Sequence, residues 1–150
     1  MKNLILILVL FFLNSCGYTS VYKNQKLQDF QISIIEMTGD DEINKLIKKE
    51  LELYSNKQSN AKYNVSINSK YQKIIISKNS AGEATDYSLL VDTIIKFNKE
   101  GKNNILNFQE SINIKNNSNS FEQNNYEKNI KKNFASSIRE KFIIKILYKK

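Results

Sequence analysis

Few side chains in this 150-residue chain could carry out chemistry. There is no histidine, which is the commonest general base and metal ligand, and a single cysteine, Cys16, excludes an intrachain disulfide. The acidic run at residues 40–42 could bind a metal or transfer protons, but the positive end of a helix also favours carboxylates, which is the interpretation we prefer. Asp86 and Asp92 share a predicted strand face, yet six residues separate them by about 20 Å. We therefore expect no enzyme, no metal site and no cofactor.

Cys16 stands directly after an unbroken apolar run at residues 4–13, which itself follows a lysine. The run is too short to span a bilayer, which takes about 20 residues, and a charged start with a short apolar region is typical of a secretory signal peptide. The tetrapeptide LNSC at residues 13–16 resembles the bacterial lipobox. The resemblance implies that residues 1–15 are removed and that Cys16 carries a diacylglycerol on sulfur and an acyl chain, such as palmitate, on nitrogen.

Acylation of Cys16 would tether the rest of the chain to a membrane, because two or more acyl chains anchor a protein stably. The next residue is Gly17 and not Asp. In lipoproteins of Gram-negative bacteria this usually means export to the outer membrane, on its periplasmic face. The alternative is a plain signal peptide with an incidental cysteine.

The charge of the chain is strongly basic, with a formal net charge of +8 from 23 basic and 15 acidic residues. Such a balance prompts a search for polyanionic partners. However, Arg139 is the only arginine, and arginine is the side chain that phosphate and base recognition prefers. We therefore expect no nucleic-acid partner.

Hydrophobic periodicity predicts the elements that would position these residues. Alternating apolar residues predict a strand at about 29–37, and apolar residues at three- and four-residue spacing predict a helix after it, capped by Thr38 or Asp40. Two longer alternating stretches follow, at about 61–76 and 87–97, with a bulge or bend expected where the pattern changes phase at residues 74–76. A hairpin turn at Gly101 leads to another strand through residue 114.

The last predicted element is a helix from about 125 to 147. Asn124 is its expected cap, with Glu127 three residues later, and residues 115–123 are expected to form a loop. Apolar residues recur every fourth position from Tyr126 to Ile146. Residues 142–148 are apolar nearly all round, so they fit a helix end or a terminal strand; we favour the helix because the pattern is continuous.

These elements predict an α+β fold in the order β-α-β-β-β-α. Consecutive strands with short turns form an antiparallel meander, and amphipathic helices need an apolar sheet face to cover. We expect a two-layer sandwich with a mainly antiparallel four-stranded sheet covered by two helices. The organisation would be a signal peptide at residues 1–15, a lipidated lead-in at 16–28 and one domain at 29–150, with the third strand covered on both faces at Leu90 and Ile94.

The residues after Cys16 resemble the mature start of the LPS-assembly lipoprotein LptE family, especially its alphaproteobacterial form. That family begins with Cys-Gly-aromatic and continues with Arg-Pro, an aliphatic residue and Tyr. Four positions match this pattern: Gly17, Tyr18, Val21 and Tyr22. Thr and Ser stand at residues 19–20, where Arg and Pro are common. The predicted order of elements across residues 16–148 also agrees with the family.

This resemblance implies a fold, a partner and a function. LptE-like proteins are not enzymes; they plug the outer-membrane β-barrel LptD, support its assembly and bind lipopolysaccharide on its way to the cell surface. The domain at residues 29–150 would then be LptE-like. The alternative is an accessory lipoprotein of another outer-membrane machine, such as a pilotin or a barrel-assembly subunit.

The candidate contact residues fall into two groups. Gly17, Tyr18, Val21 and Tyr22 would lie near the membrane or a partner, where an apolar ring with a polar tip is favoured, or the tyrosines would pack on the domain itself. Lysines could attract the anionic lipopolysaccharide, or they could simply form a solvated face. The lysine candidates lie on and after the second strand: Lys62, Lys70, Lys73 and Lys78.

Overall fold

The structure, a computed structural model, describes residues 30–55, 59, 61–99 and 101–148. The helices and strands follow the order that the periodicity predicts. A short 3-10 turn at Glu52–Tyr54, which the periodicity did not predict, follows the first helix. In chain order the helices and strands are β1 (Phe30–Gly39), α1 (Asp41–Leu51), β2 (Ala61–Lys78), β3 (Ala84–Lys99), β4 (Lys102–Lys115) and α2 (Ser120–Tyr148). The predicted α+β architecture is therefore confirmed.

The four strands form one sheet in the order β1-β2-β3-β4. β2, β3 and β4 are antiparallel neighbours joined by hairpins, whereas β1 and β2 run parallel. A parallel pair needs a crossover connection, and α1 provides it. The sheet is thus mainly antiparallel, as expected, with one parallel pair at its edge.

Both helices lie on one face of the sheet and bury a common core. The largest fully buried side chains come from all layers and include Phe142, Ile138, Ile43, Ile67 and Leu89. Phe142 contacts two strands at once, because its ring centroid lies 5.6 Å from that of Phe97 on β3 and 6.4 Å from that of Phe108 on β4. Removing such a ring costs about 3–5 kcal/mol, so α2 is firmly fixed to the sheet.

The helix α2 begins earlier than the sequence pattern predicts. Asn119, and not Asn124, is the capping residue: its Oδ1 accepts hydrogen bonds from the backbone N–H groups of Phe121 and Glu122 at 3.1 and 3.3 Å. The loop expected at 115–123 therefore ends at residue 119. Several asparagines precede the helix, and each is a good cap, so the local sequence did not distinguish them. Residues 142–148 are helical, which confirms the preferred alternative.

The second face of the sheet is open among the described residues. Ile94, expected to lie under a second layer, is 40% exposed, and Leu90 is only half-buried. The expected coverage of both faces of β3 is therefore wrong for the part of the chain that the structure describes. The change of phase in β2 is real, since the register with β3 shifts between Ile75 and Ser77 and again before Lys78.

No helix among these residues combines the length and the apolar composition needed to span a bilayer.

Candidate functional site

The four lysine candidates all lie on β2, but the structure does not bring them together. Successive side chains of a strand point to opposite faces. Lys62 and Lys70 are exposed on the open face and stand eight residues, or about 26 Å, apart along the strand. Lys73 lies on the helix side, and Lys78 ends the strand beyond the register shifts. They therefore form separate positive charges and not one patch.

Lys73 is held by α2 on the helix side of the sheet. Its Nζ lies 2.5 Å from Glu127 Oε1 and 4.1 Å from the centroid of the Tyr87 ring. Burial opposes the ionisation of Glu127, but hydrogen bonds from Lys73 and Gln123 outweigh this and hold the pKa of its carboxyl below the usual value. Glu127 was expected to support a helix cap; instead it joins α2 to β2. Lys73 is thus less available to an external ligand than the other candidates.

A second polar contact lies beside the first, where α1, α2 and β2 meet. Lys131 Nζ lies 2.5 Å from Glu42 Oε2 and 4.3 Å from the centroid of the Tyr71 ring. The Tyr71 hydroxyl is buried and has no hydrogen-bond partner among the described residues. Burial, reinforced by the negative charges of Glu127 and Glu42, raises the pKa of Tyr71 to about 12. The charged groups of this cluster neutralise one another in pairs, Lys73 with Glu127 and Lys131 with Glu42, so the cluster stabilises the helix–sheet junction.

The acidic run at residues 40–42 is structural. Asp40 caps α1, since its Oδ1 accepts a hydrogen bond from the Ile43 backbone N–H at 2.9 Å. Asp41 pairs with Lys45 one turn later at 2.6 Å, and Glu42 pairs with α2. The three carboxylates therefore point to different partners. Nowhere in the described ranges do three or more His, Cys, Asp or Glu side chains form a group that could hold a metal ion.

The two aspartates on β3 also have separate partners. Asp86 accepts hydrogen bonds from the hydroxyls of Ser77 and Thr85, and these bonds hold the pKa of its carboxyl below the usual value. Asp92 accepts a hydrogen bond from the Gln109 amide at 2.8 Å. Neither aspartate shares its hydrogen-bond partners with the other, so the two do not form an acid–base pair.

An open cleft of about 730 Å³ lies between the end of β4 and the start of α2. Tyr126 and several amide side chains line it. Asn117 donates its side-chain N–H to Glu122 and its backbone N–H to Gln123 Oε1, both at 2.9 Å. The backbone N–H and the side-chain N–H of Asn117 therefore form hydrogen bonds that hold the loop before α2. A smaller cavity of about 160 Å³ lies on the open face between Glu36, Ser66 and Lys96.

The membrane-proximal candidates Cys16, Gly17, Tyr18, Val21 and Tyr22 lie outside the described residues. The polar cluster at the helix–sheet junction, in contrast, was not anticipated from the sequence. Lys73 and Glu127 are 54 residues apart, and Glu42 and Lys131 are 89 apart. No local spacing rule connects such distant residues, although each of the four bears a charge next to an apolar position.

Comparison with known proteins gives a fold but no sequence relative. No protein-family model and no curated protein matches the chain. Rare lipoprotein B from Shewanella oneidensis has a similar structure, with a TM-score of 0.56 and 13% identity over 77% of this chain and 97% of that one. A lipoprotein from Caulobacter crescentus gives a TM-score of 0.51 and 12% identity over 83% and 94% of the two chains. The architecture agrees with the fold of LptE-like lipoproteins.

Proposed function

We propose that this chain is an outer-membrane lipoprotein of the LptE kind, which acts with the β-barrel LptD in lipopolysaccharide transport and assembly. The proposal rests on the occurrence of two features together in one chain. A domain with the fold of rare lipoprotein B follows a lipobox-type cysteine and the Cys-Gly-Tyr start, residues 16–18, that resembles LptE. The two features are independent, because one is a local motif and the other is a tertiary arrangement.

The open face of the sheet supports a role inside a barrel. It carries a row of amides in register across three strands, Asn64, Asn98 and Asn103, and the Asn98 side chain donates to Asn103 Oδ1 at 3.0 Å. Asn68 and Asn107 extend this polar surface on either side of Ile94. Barrel interiors are polar and hydrated, so a surface of amides, which can both donate and accept, suits contact with such a wall.

The exposed lysines support binding of an anionic lipid. Lys62, Lys70 and Lys78 are exposed, and none has an ion-pair partner among the described residues. Because they are spread along β2, they could contact successive phosphates of a bound lipopolysaccharide, while Lys73 remains fixed to α2. In this proposal the protein binds and positions and catalyses no reaction, and its one attached group is the acylated Cys16.

The test is purification of an epitope-tagged full-length protein from detergent-extracted membranes. We expect an LptD-type barrel to copurify in a near-equal amount, and we expect depletion of the protein to lower lipopolysaccharide at the cell surface. A triple Lys62→Gln, Lys70→Gln, Lys78→Gln variant should keep the barrel but bind less lipopolysaccharide, whereas a Lys48→Gln, Lys49→Gln control on α1 should keep both.

Two results would count against this function. A tagged protein that copurifies with no barrel would remove the proposed partner. Loss of secretion, or of many unrelated barrels, after depletion would favour an accessory lipoprotein of another outer-membrane machine.

A further inference from the structure

One end of the domain combines exposed apolar side chains with lysines at the place where the N-terminal segment enters. This tether end is formed by the start of β1, the 3-10 turn, the β3–β4 hairpin and the last turn of α2. The Phe30 ring, at the start of β1, stacks on Tyr54 at 5.3 Å between centroids. This contact places the 3-10 turn beside the point of entry.

The other two parts of the tether end are placed by the core. Lys99 and Lys102 face each other in register at the β3–β4 hairpin. Phe142 packs on Phe97, two residues before Lys99, so the last turn of α2 lies over the same end of the sheet. Lys145 Nζ in that turn lies 5.2 Å from the centroid of the Phe108 ring.

Large apolar side chains at or near this end are exposed to solvent, and that of Ile105 lies on the open face of the sheet. Leu53 in the 3-10 turn is 71% exposed, Ile105 on β4 is 61% exposed and Ile144 on α2 is 53% exposed. They come from three different elements. Exposed apolar side chains interspersed with lysines are the composition by which proteins bind at the surface of a membrane: the apolar groups enter between the headgroups and the lysines contact the phosphates.

The charge distinguishes this end from the opposite one. In the described residues of the hairpin, the 3-10 turn and the last turn of α2, Glu52 is the one acidic side chain. The opposite end also exposes apolar residues, at 74–76 and 121, but it carries three acidic residues with two lysines: Glu83, Asp86, Glu122, Lys78 and Lys115.

We infer that the tether end lies directly on anionic phospholipid headgroups, with Leu53, Ile105 and Ile144 at the headgroup boundary. The thirteen residues between Cys16 and Phe30 could extend at most about 45 Å, so an acyl anchor alone would not orient the domain. Each lysine near an anionic surface raises the affinity for that surface about fivefold. This attraction orients the domain. This contact is independent of any barrel partner.

The test uses the full mature protein, purified from membranes and reconstituted into vesicles of phosphatidylcholine alone or mixed with phosphatidylglycerol. Cys16 is the one native cysteine, and the proposed acylation would block its sulfur, so Ile105→Cys can be labelled uniquely with an environment-sensitive fluorophore. Ile76→Cys, at the opposite end, is the matched control. We expect headgroup-region quencher lipids to quench the probe at 105 several-fold more than the probe at 76, and only in vesicles with phosphatidylglycerol.

Charge reversals separate this contact from a general charge effect. Lys99→Glu with Lys102→Glu should lower quenching at position 105 to its level in phosphatidylcholine, and added salt should do the same. Lys128→Glu with Lys132→Glu makes the same change of charge in the first half of α2. This double variant should leave the quenching at position 105 unaltered. Equal quenching at both positions, no dependence on phosphatidylglycerol, equal effects of the two reversals, or a protein that does not remain with the vesicles would each overturn the inference.

Discussion

Gly39 shows how one residue fixes the junction between β1 and α1. Its φ of +88° is favourable for glycine alone, and a Cβ added there would lie 2.0 Å from the Ser69 carbonyl oxygen on β2. The next residue, Asp40, donates its backbone N–H to that same oxygen at 2.7 Å and caps α1. The close approach therefore ties the parallel strand pair to the start of the helix.

We predict that Gly39→Ala destabilises the domain by about 2–4 kcal/mol, since positive φ costs about 1–2 kcal/mol and the contact with Ser69 forces the backbone apart. Gly82→Ala is the matched control: its φ is +84°, but nothing lies within 4 Å of the added Cβ, so only the cost of positive φ should appear. Urea denaturation of both variants measures the difference. Equal losses of stability in the two variants would show that the backbone at Ser69 moves away from the added Cβ at no cost.

Tyr71 carries a buried hydroxyl at the helix–sheet junction. Because burial and nearby carboxylates raise its pKa from 10.0 to about 12 in the folded protein, ionisation favours the unfolded chain as the pH rises through this range. We predict that the free energy of unfolding falls between about pH 10 and pH 12 and that Tyr71→Phe reduces this dependence. At pH 7 the same variant should be neutral or stabilising, because it removes a buried group without a partner. A large loss of stability at pH 7 would contradict this interpretation.

At the scale of the elements, the start of α2 is the clearest case where a local pattern named the right element with the wrong boundary. Asn119 and Asn124 are both capping residues by type. The structure uses Asn119, which fixes the loop before α2 and leaves Asn124 exposed inside the helix. Substitution of these two asparagines is therefore expected to affect stability differently.

Asn119→Ala should destabilise the protein by about 1 kcal/mol through loss of the cap. Asn124→Ala should be neutral or slightly stabilising, because alanine has the higher helix propensity. The measurement is chemical denaturation of both variants, followed by the helical circular dichroism signal. If Asn124→Ala were the more damaging substitution, the helix would begin where the sequence pattern placed it.

The contact between Glu127 and Lys73 joins α2 to β2. It makes the free energy of unfolding depend on pH in the acidic range. The pKa of Glu127 is lowered in the folded protein, so its contribution is present above its ordinary pKa of 4.5 and is lost as the pH falls below it. We predict a decrease in unfolding free energy below about pH 4.5 that Glu127→Gln makes smaller. Glu122→Gln, an exposed carboxylate five residues earlier on the same helix, is the matched control; the measurement is urea denaturation of both variants across that pH range.

At the scale of the whole molecule, the proposed function needs the domain to be held at a membrane. Cys16→Ser removes the sulfur that would carry the diacylglycerol. We predict that this variant is found as soluble domain or as unprocessed precursor and that it leaves the outer-membrane fraction. Cell fractionation with mass spectrometry of the mature N-terminus measures both effects. Normal maturation and outer-membrane location of the variant would refute acylation of Cys16, whereas the fold would remain as described.

The sequence by itself determined the element order and the inward-facing residues, because strand and helix periodicities are local properties of the chain. The apolar alternation in β2 and β3 and the four-residue spacing in α2 each identified side chains that the core buries. The acidic run at 40–42 was correctly interpreted as the start of a helix for the same reason, since capping and end charge act within one turn.

Only the tertiary structure decided what lies far apart in the chain. The parallel pairing of β1 with β2, the open second face of the sheet and the ion pairs of Glu42 and Glu127 all depend on which surfaces meet after folding. A strand pattern specifies its apolar face but not its neighbour, and a charged side chain gives no sign of a partner 54 or 89 residues away. The tether end is likewise visible only in three dimensions, because four separate parts of the chain contribute to it.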